Sequence, residues 1–578
     1  MLILLRFIFA ESLSGKYELY SGRFSIINPI IEDISKENLS TARIVPIYKE
    51  TKNLNSNQIR KIINELFKLN FKLIDYLNSD IRNQFNLLEI NAAYLNAHFP
   101  KNNEKLLAAK HRLSFNQLFK AILASELNKR ELAKDKALII KFNQELAKRF
   151  INDLPYKLSD EQRIATWQIL RDISRPIPMN RLLEGEVGSG KTVVAAMASL
   201  LVVDKGYQVA FMAPTEILAK QHLDTISKMY SNLEHHSKIA LLLGSTAPKE
   251  KRKIIEKIRN NEIGLIIGTH ALISEKLIFK NLALVVIDEQ HRFGVNQRKL
   301  LKQKANLMPH LLTLSATPIP RSLALTLFRE LSISILKDKP VQSKPVSTKL
   351  LSEEMYLREV QNLNKILYRR EQIIIVCPSI NEKPGNHNSL MEVYQRALEQ
   401  FSSYKVAFLH SKLPAVEKDS IMNRFIANDI NVLVSTTVIE VGIDIPNLTA
   451  IVIMSAERFG LAQLHQIRGR VGRHRKPGTC YLVYSNSNSD NIRLKAILSA
   501  KNGIELAEYD LEQRGPGAIY GQLQHGKYGI DYKLINNKEL LDNVRNGVDL
   551  FLQDDKNLIK SKDLINEVEH LRKIINLD

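Results

Sequence analysis

The octapeptide Gly185-Glu186-Val187-Gly188-Ser189-Gly190-Lys191-Thr192 follows a short apolar run and precedes a helical pattern from Val193 to Val203. Its glycines let the backbone turn tightly with N–H groups aimed at one point, and the following helix adds the positive end of its dipole. Such a loop cradles phosphate oxygens. The spacing assigns Lys191 to the β- and γ-phosphates of a nucleoside triphosphate and the Thr192 hydroxyl to Mg²⁺. Roughly a hundred residues later the apolar run Leu284–Ile287 ends in Asp288 and Glu289. Two acids at a strand end can divide the work: Asp288 on the metal, Glu289 orienting or deprotonating the attacking water. A third cluster, Gln466-Ile467-Arg468-Gly469-Arg470-Val471-Gly472-Arg473, reads as a helix start bearing arginines. Arg470 and Arg473 are the candidates to stabilise charge on a transferring phosphoryl group from a facing domain. For any one of these arginines the alternative is a basic helix that contacts nucleic acid.

These side chains need a frame, and the sequence supplies two stretches of alternating strands and helices, each strand a continuous apolar run of the kind buried in parallel sheets. The first holds 181–183, 209–213, 265–268, 284–287 and 311–314; the second holds 372–377, 406–410, 432–435, 450–454 and 479–484. A connector rich in proline and lysine, Lys337 to Val346, separates them. The expectation is an α/β fold of two parallel-sheet lobes with ligands at the carboxyl ends of the strands. Before the lobes, 56–153 shows helical spacing, and 17–20 and 24–27 read as a hairpin around Ser21-Gly22-Arg23. Met1 to Ala10 reads as a core strand, since Arg6 interrupts an apolar run too short for a signal or a membrane span. Residues 536–578 are charged and helical in pattern with no assignable chemistry.

The chain has 578 residues, room for several cores, and a formal charge of +21 that favours a polyanionic partner over a neutral substrate. Its two cysteines, Cys377 and Cys480, lie within apolar runs, which excludes a disulfide framework or a cysteine metal site and suits a reduced, cytoplasmic protein.

In order along the chain, Leu154 to Gln162, Ala213 to Ala219, Gly268 to Leu272, Ser315 to Arg321 and Thr436 to Asp444 resemble the motifs of superfamily 2 helicases and translocases. DEQHRFGVNQR from Asp288, ERFGLAQLHQIRGRVGR from Glu457, and the run Asp510 to Gly521 resemble the RecG family of branched-DNA translocases more narrowly. The resemblance spans about residues 15–535. It implies two RecA-like lobes, a helical linker and a partial OB-fold remnant of the wedge that splits strands at a fork, the chain being truncated before it. The implied domains are 1–45 wedge remnant, 46–153 linker, 154–337 and 338–490 the lobes, and 491–578 a translocation hairpin with a helical tail.

The same resemblance implies ATP and Mg²⁺ as cofactors, with Gln162 reading adenine and Asp444 lining the nucleotide. Gln290, His291, Ser315, Thr317, Gln466 and Arg514 would couple hydrolysis to movement, although Arg514 can also be read as a cap within its hairpin. Branched double-stranded DNA (forks, Holliday junctions) is the implied partner, with single-strand-binding protein a further one, for a monomer in the bacterial cytosol and nucleoid without a membrane. Three other readings stay open: a DNA-binding ATPase without fork remodelling, a transcription-coupled repair translocase, and an RNA helicase.

Overall fold

In the computed structural model, residues 11–20, 23–33, 39–41, 43–52, 54–69, 72–269, 272, 277–288, 307–316, 331–337, 346–380, 388–436, 445–472, 476–485, 490–500, 503, 505–506, 509, 534, 537–554 and 561–575 are described. The expected strand Met1–Ala10 lies outside them. The chain divides into two compact units. One comprises 1–124 and 533–572, the other 125–532 and 573–578.

The first unit opens with an antiparallel pair, β1 (Glu11–Tyr20) and β2 (Arg23–Asp33), in which Tyr20 pairs with Arg23. The hairpin is therefore longer than the apolar residues alone suggest, and Arg23 belongs to the strand. Helices α1 (Ser56–Lys68), α2 (Ser79–Gln84), α3 (Ile90–His98) and α4 (Asn103–Leu132) follow, and the unit boundary falls within α4. Asparagine and glutamate side chains at Asn55, Asn78 and Glu89 cap the first three, accepting the N–H groups that a helix start leaves without partners. The core is aromatic: Phe115 stacks on Phe119, and Phe119 meets Phe551 edge-on at 5.4 Å. Beside it the fully buried Arg112 guanidinium bonds Asp75 Oδ1 at 2.6 Å, Asn116 Oδ1 and the Leu88 carbonyl, so the buried charge is paired and each of its three nitrogens donates. The tail is thereby given a role, since its helix Lys538–Phe551 packs Gly547 against Phe115, where a Cβ would come within 2.8 Å of the ring.

The second unit carries two sheets, parallel throughout. The first runs in the order β5-β6-β4-β7-β8-β3-β9, from β3 (Asn180–Gly185), β4 (Gln208–Met212), β5 (Ile239–Leu242), β6 (Leu265–Gly268), β7 (Leu282–Asp288), β8 (His310–Ser315) and β9 (Ser332–Leu336). The second runs β10-β15-β14-β11-β13-β12, from β10 (Val346–Ser352), β11 (Gln372–Val376), β12 (Val406–Leu409), β13 (Val432–Ser435), β14 (Leu448–Ile453) and β15 (Gly478–Tyr484). Apolar clusters cover both faces of each sheet, which is why its central strands carry long apolar runs. The expected α/β lobes are present, and the connector's last residue, Val346, starts β10. Cys377 and Cys480 are free and buried, and burial pushes both thiols up to about 12. Among the described residues no helix is long and apolar enough to cross a membrane.

The first sheet is tied to the segment before it by His310. Its Nδ1 accepts from the Met179 N–H at 2.9 Å, and its Nε2–H donates to the Leu138 carbonyl at 2.7 Å, a pattern only the neutral ring can make. Burial holds its pKa below the ordinary 6.5, outweighing the Leu138 bond that acts the other way. The folded form thus binds fewer protons than the unfolded chain, so this stability is complete above the ordinary histidine pKa and is lost as pH falls from there through the lowered folded value. The urea midpoint of the second unit should drop between pH 7.5 and 5.5, and His310→Gln should flatten that drop; an unchanged slope in the variant would reject the assignment.

Candidate nucleotide site and its contact with the second lobe

The order of the first sheet brings the chemistry together. β7, β8 and β3 are neighbours, so their carboxyl ends place Asp288, Ser315 and Gly185 side by side. This is the edge at which open α/β sheets bind ligands. Gly188 (φ +86°) and Gly190 (φ +84°) take the left-handed conformation, which lets the chain double back before α7 (Lys191–Asp204). A Cβ on Gly190 would come within 2.2 Å of Gln162 Nε2, while one on Gly188 would meet nothing within 4 Å. The loop is therefore closed on one side and open on the other. Nearly every side chain of α7 is buried, so this helix is fixed by packing and its N-terminus is held firmly behind the loop.

Gln162, expected to read adenine, is built into the loop's support. Its Oε1 accepts from the Ser159 N–H, closing a capping box at the start of α6 (Asp160–Ile173), and its Nε2 donates to the Ser189 carbonyl at 2.9 Å. One amide hydrogen and one lone pair remain for a base. Lys191 lies folded onto the loop, with Nζ 2.6 Å from the Gly185 carbonyl and 3.0 Å from that of Glu186. The Ser189 hydroxyl is buried without a hydrogen-bond partner. Positive-φ glycines, an orphaned hydroxyl, a lysine that donates to two loop carbonyls, and Thr192 beside it on α7 make a donor set that fits a triphosphate. Val187 and Thr192 are half-buried and Ser315 is buried.

Asp288 is held by a residue that sequence reasoning did not single out. His222, on α8 (Glu216–Met229), brings Nε2 to 2.8 Å from Asp288 Oδ2, and its ring lies on Phe211 with centroids 4.8 Å apart. Its one sequence signal is its place on the buried stripe of α8 with Leu218, Ala219 and Ile226.

The arginine run is corrected by the structure. Gln466 and Arg468 end a helix (Leu461–Arg468) rather than begin one, and Gly469 and Arg470 form the turn after it, followed by Gly472 at φ +81°. The glycines set the stop, and a cation in the last turn suits the negative end of the dipole. Arg470 is buried, Gln466 half-buried. One residue before Gln466, His465 reaches across to the phosphate loop. Its Nε2 lies 3.0 Å from Glu186 Oε1, which also accepts from the Gly503 N–H at 2.9 Å. Arg468 Nη2 donates to His465 Nδ1 at 2.8 Å, and Nη1 to the Ile497 carbonyl. Arginine can only donate, so Nδ1 accepts and Nε2 carries the proton that Glu186 receives. Desolvation pulls the Arg468 pKa down, opposed by Cys480 and Glu186. The Glu186 carboxylate is thus turned to the second lobe, leaving its backbone to the loop.

Glu289, Gln290, His291, Thr317, Asp444, Arg473 and Arg514 lie outside the described residues. So does the run Asp510 to Gly521.

Comparison with known proteins covers both lobes. Residues 160–326 match the DEAD/DEAH box helicase family and 358–475 the helicase conserved C-terminal domain. The ATP-dependent DNA helicase RecG of Staphylococcus epidermidis is 38% identical over 495 residues, covering 85% of this chain and 72% of the relative. That of Thermotoga maritima is 41% identical over 519 residues, covering 89% of this chain and 66% of the relative. A solved structure of RecG bound to a three-way DNA junction superposes with a TM-score of 0.76 at 38% identity, over 92% of this chain and 70% of that one. With a glycine loop, a strand-end aspartate and an arginine helix held in one frame, and with these relatives 38% and 41% identical over most of its length, the chain belongs to the RecG family of ATP-dependent DNA helicases.

Proposed function

We propose that this chain is an ATP-driven translocase that remodels branched double-stranded DNA, forks and Holliday junctions, in recombination and repair. The observation that carries this reading is the bond from Glu186 in the phosphate loop to His465 in the arginine helix, because it makes the loop of one lobe sense the position of the other. Lys191 would exchange its carbonyl partners for phosphate oxygens. Thr192 and Asp288 would hold Mg²⁺, which supplies charge neutralisation on the phosphates when bound. Glu289 would orient water, and Arg470 and Arg473 would stabilise the charge that develops on phosphoryl transfer. Gln162 would face the base and Asp444 the nucleotide, while Gln290, His291, Ser315, Thr317, Gln466 and Arg514 would relay closure of the lobes to the DNA.

The net charge of +21 supports a polyphosphate partner. The working setting we propose is the bacterial cytosol, near the nucleoid, as a monomer that meets single-strand-binding protein there. We place the wedge remnant in β1 and β2, with the helices of 46–153 as a linker.

The test is the ATP hydrolysis rate on a three-way fork, linear duplex, single strand and RNA, scored in parallel for fork unwinding. Stimulation by the fork with unwinding is expected; stimulation by RNA alone would overturn the reading. The His465 contact gives a second check. A hydrogen bond to a charged group contributes about 1.5 kcal/mol or more, roughly tenfold in an equilibrium. His465→Ala should therefore raise the ATP concentration for half-maximal hydrolysis about tenfold by removing this contact between the lobes. An unchanged value would remove His465 from the scheme.

A further inference from the structure

We propose that His222 is a positioning residue for hydrolysis, fixing the Asp288 carboxylate for the metal; this rests on the hydrolase reading above. Asp288 is the last residue of β7 and only its backbone is set by the sheet. A carboxylate on one rotatable arm at a strand end needs a second constraint to present the same oxygen each time. The His222 Nε2–H supplies it by donating to Oδ2, which leaves Oδ1 as the oxygen turned to the ligand.

The donor is itself constrained. Its ring rests on Phe211 of β4, the strand that pairs with β7, so the histidine cannot swing away without leaving that face. Its backbone lies within α8, whose start is capped by the Thr215 hydroxyl accepting from the Leu218 N–H. The cap belongs to the segment Ala213 to Ala219, one of the stretches that resemble superfamily 2 motifs. His222 lies seven residues beyond the cap, about 10 Å along the same helix at about 1.5 Å per residue. A capped helix thus carries the donor that fixes the carboxylate. The partner that orients a metal ligand typically contributes about 10- to 100-fold to metal affinity or rate.

The experiment separates the ring from its proton. His222→Phe keeps the packing on Phe211 and removes the donor; His222→Gln keeps an N–H donor and removes the ring. The readout is binding of a fluorescent, slowly hydrolysed ATP analogue, titrated with Mg²⁺ and with EDTA, which requires no turnover. In the parent chain Mg²⁺ should tighten binding, and His222→Phe should need about tenfold more Mg²⁺ for the same effect while its EDTA affinity stays unchanged. His222→Gln should recover most of the loss. A parent-like Mg²⁺ requirement in His222→Phe overturns the proposal while leaving the hydrolase reading intact. A parent chain whose nucleotide binding ignores Mg²⁺ overturns both.

Discussion

Replacing Lys191 by alanine should lower ATP turnover by about 10³-fold, the loss typical when one preorganised donor to a developing charge is removed. The structure says why no neighbour would compensate. Lys191 is the first residue of α7, at the point where the dipole and the loop N–H groups converge, and its ammonium sits 2.6 Å and 3.0 Å from two loop carbonyls. Those carbonyls accept a hydrogen bond without needing a charge, so the lysine can exchange them for phosphate oxygens at little cost. Alanine removes the cation and leaves the fold, because α7 is fixed by its buried apolar residues rather than by Lys191. Binding to fork DNA, favoured by the net charge of +21, should persist within about twofold. Steady-state hydrolysis with and without fork DNA, beside fluorescence anisotropy of the labelled fork, measures both. Undiminished turnover would sink the site assignment.

That prediction was available from sequence because the phosphate loop is local: its residues act within eight positions of one another. The strands were legible for a related reason. Strands inside a sheet covered on both faces are continuous apolar runs, and the runs at 209–213, 284–287 and 432–435 stand out against the helices between them. The strands that the apolar runs do not mark, β5, β9 and β10, are edge strands. β9, Ser332–Leu336, and β10, Val346–Ser352, mix serine, threonine and lysine with their apolar residues, since an edge strand is partly exposed. β5, Ile239–Leu242, is the opposite edge of the first sheet and has only four residues. The site divides in the same way. His222 acts on Asp288 across 66 residues and His465 on Glu186 across 279, so no window of sequence contains either pair. The arginine run is subtler: its residues stand out in the sequence, but glycines at 469 and 472 end a helix as readily as they open a loop before one.

The second large effect belongs to Arg470. An arginine supplied across a cleft to a transferring phosphoryl group is worth about 10³ to 10⁵ in turnover, so Arg470→Ala should reduce the DNA-stimulated rate by about 10³-fold. Several features support this residue. It is 4% exposed, on a turn whose N–H groups bond back to the helix, Gly469 to His465 and Arg470 to Ile467. Its position is therefore set by the end of that helix, and the helix touches the phosphate loop through His465. Arg468, two residues earlier, is committed to His465 and the Ile497 carbonyl and so acts as a brace. Arg470→Lys should recover little, because an ammonium cannot reproduce the planar fork that meets two phosphoryl oxygens. Nucleotide affinity should change far less than rate if the contact forms only as charge develops. Single-turnover hydrolysis, with affinity measured separately, distinguishes the cases. A loss of affinity equal to the loss of rate would make Arg470 a ground-state ligand, and a rate within tenfold of the parent would pass the role to Arg473.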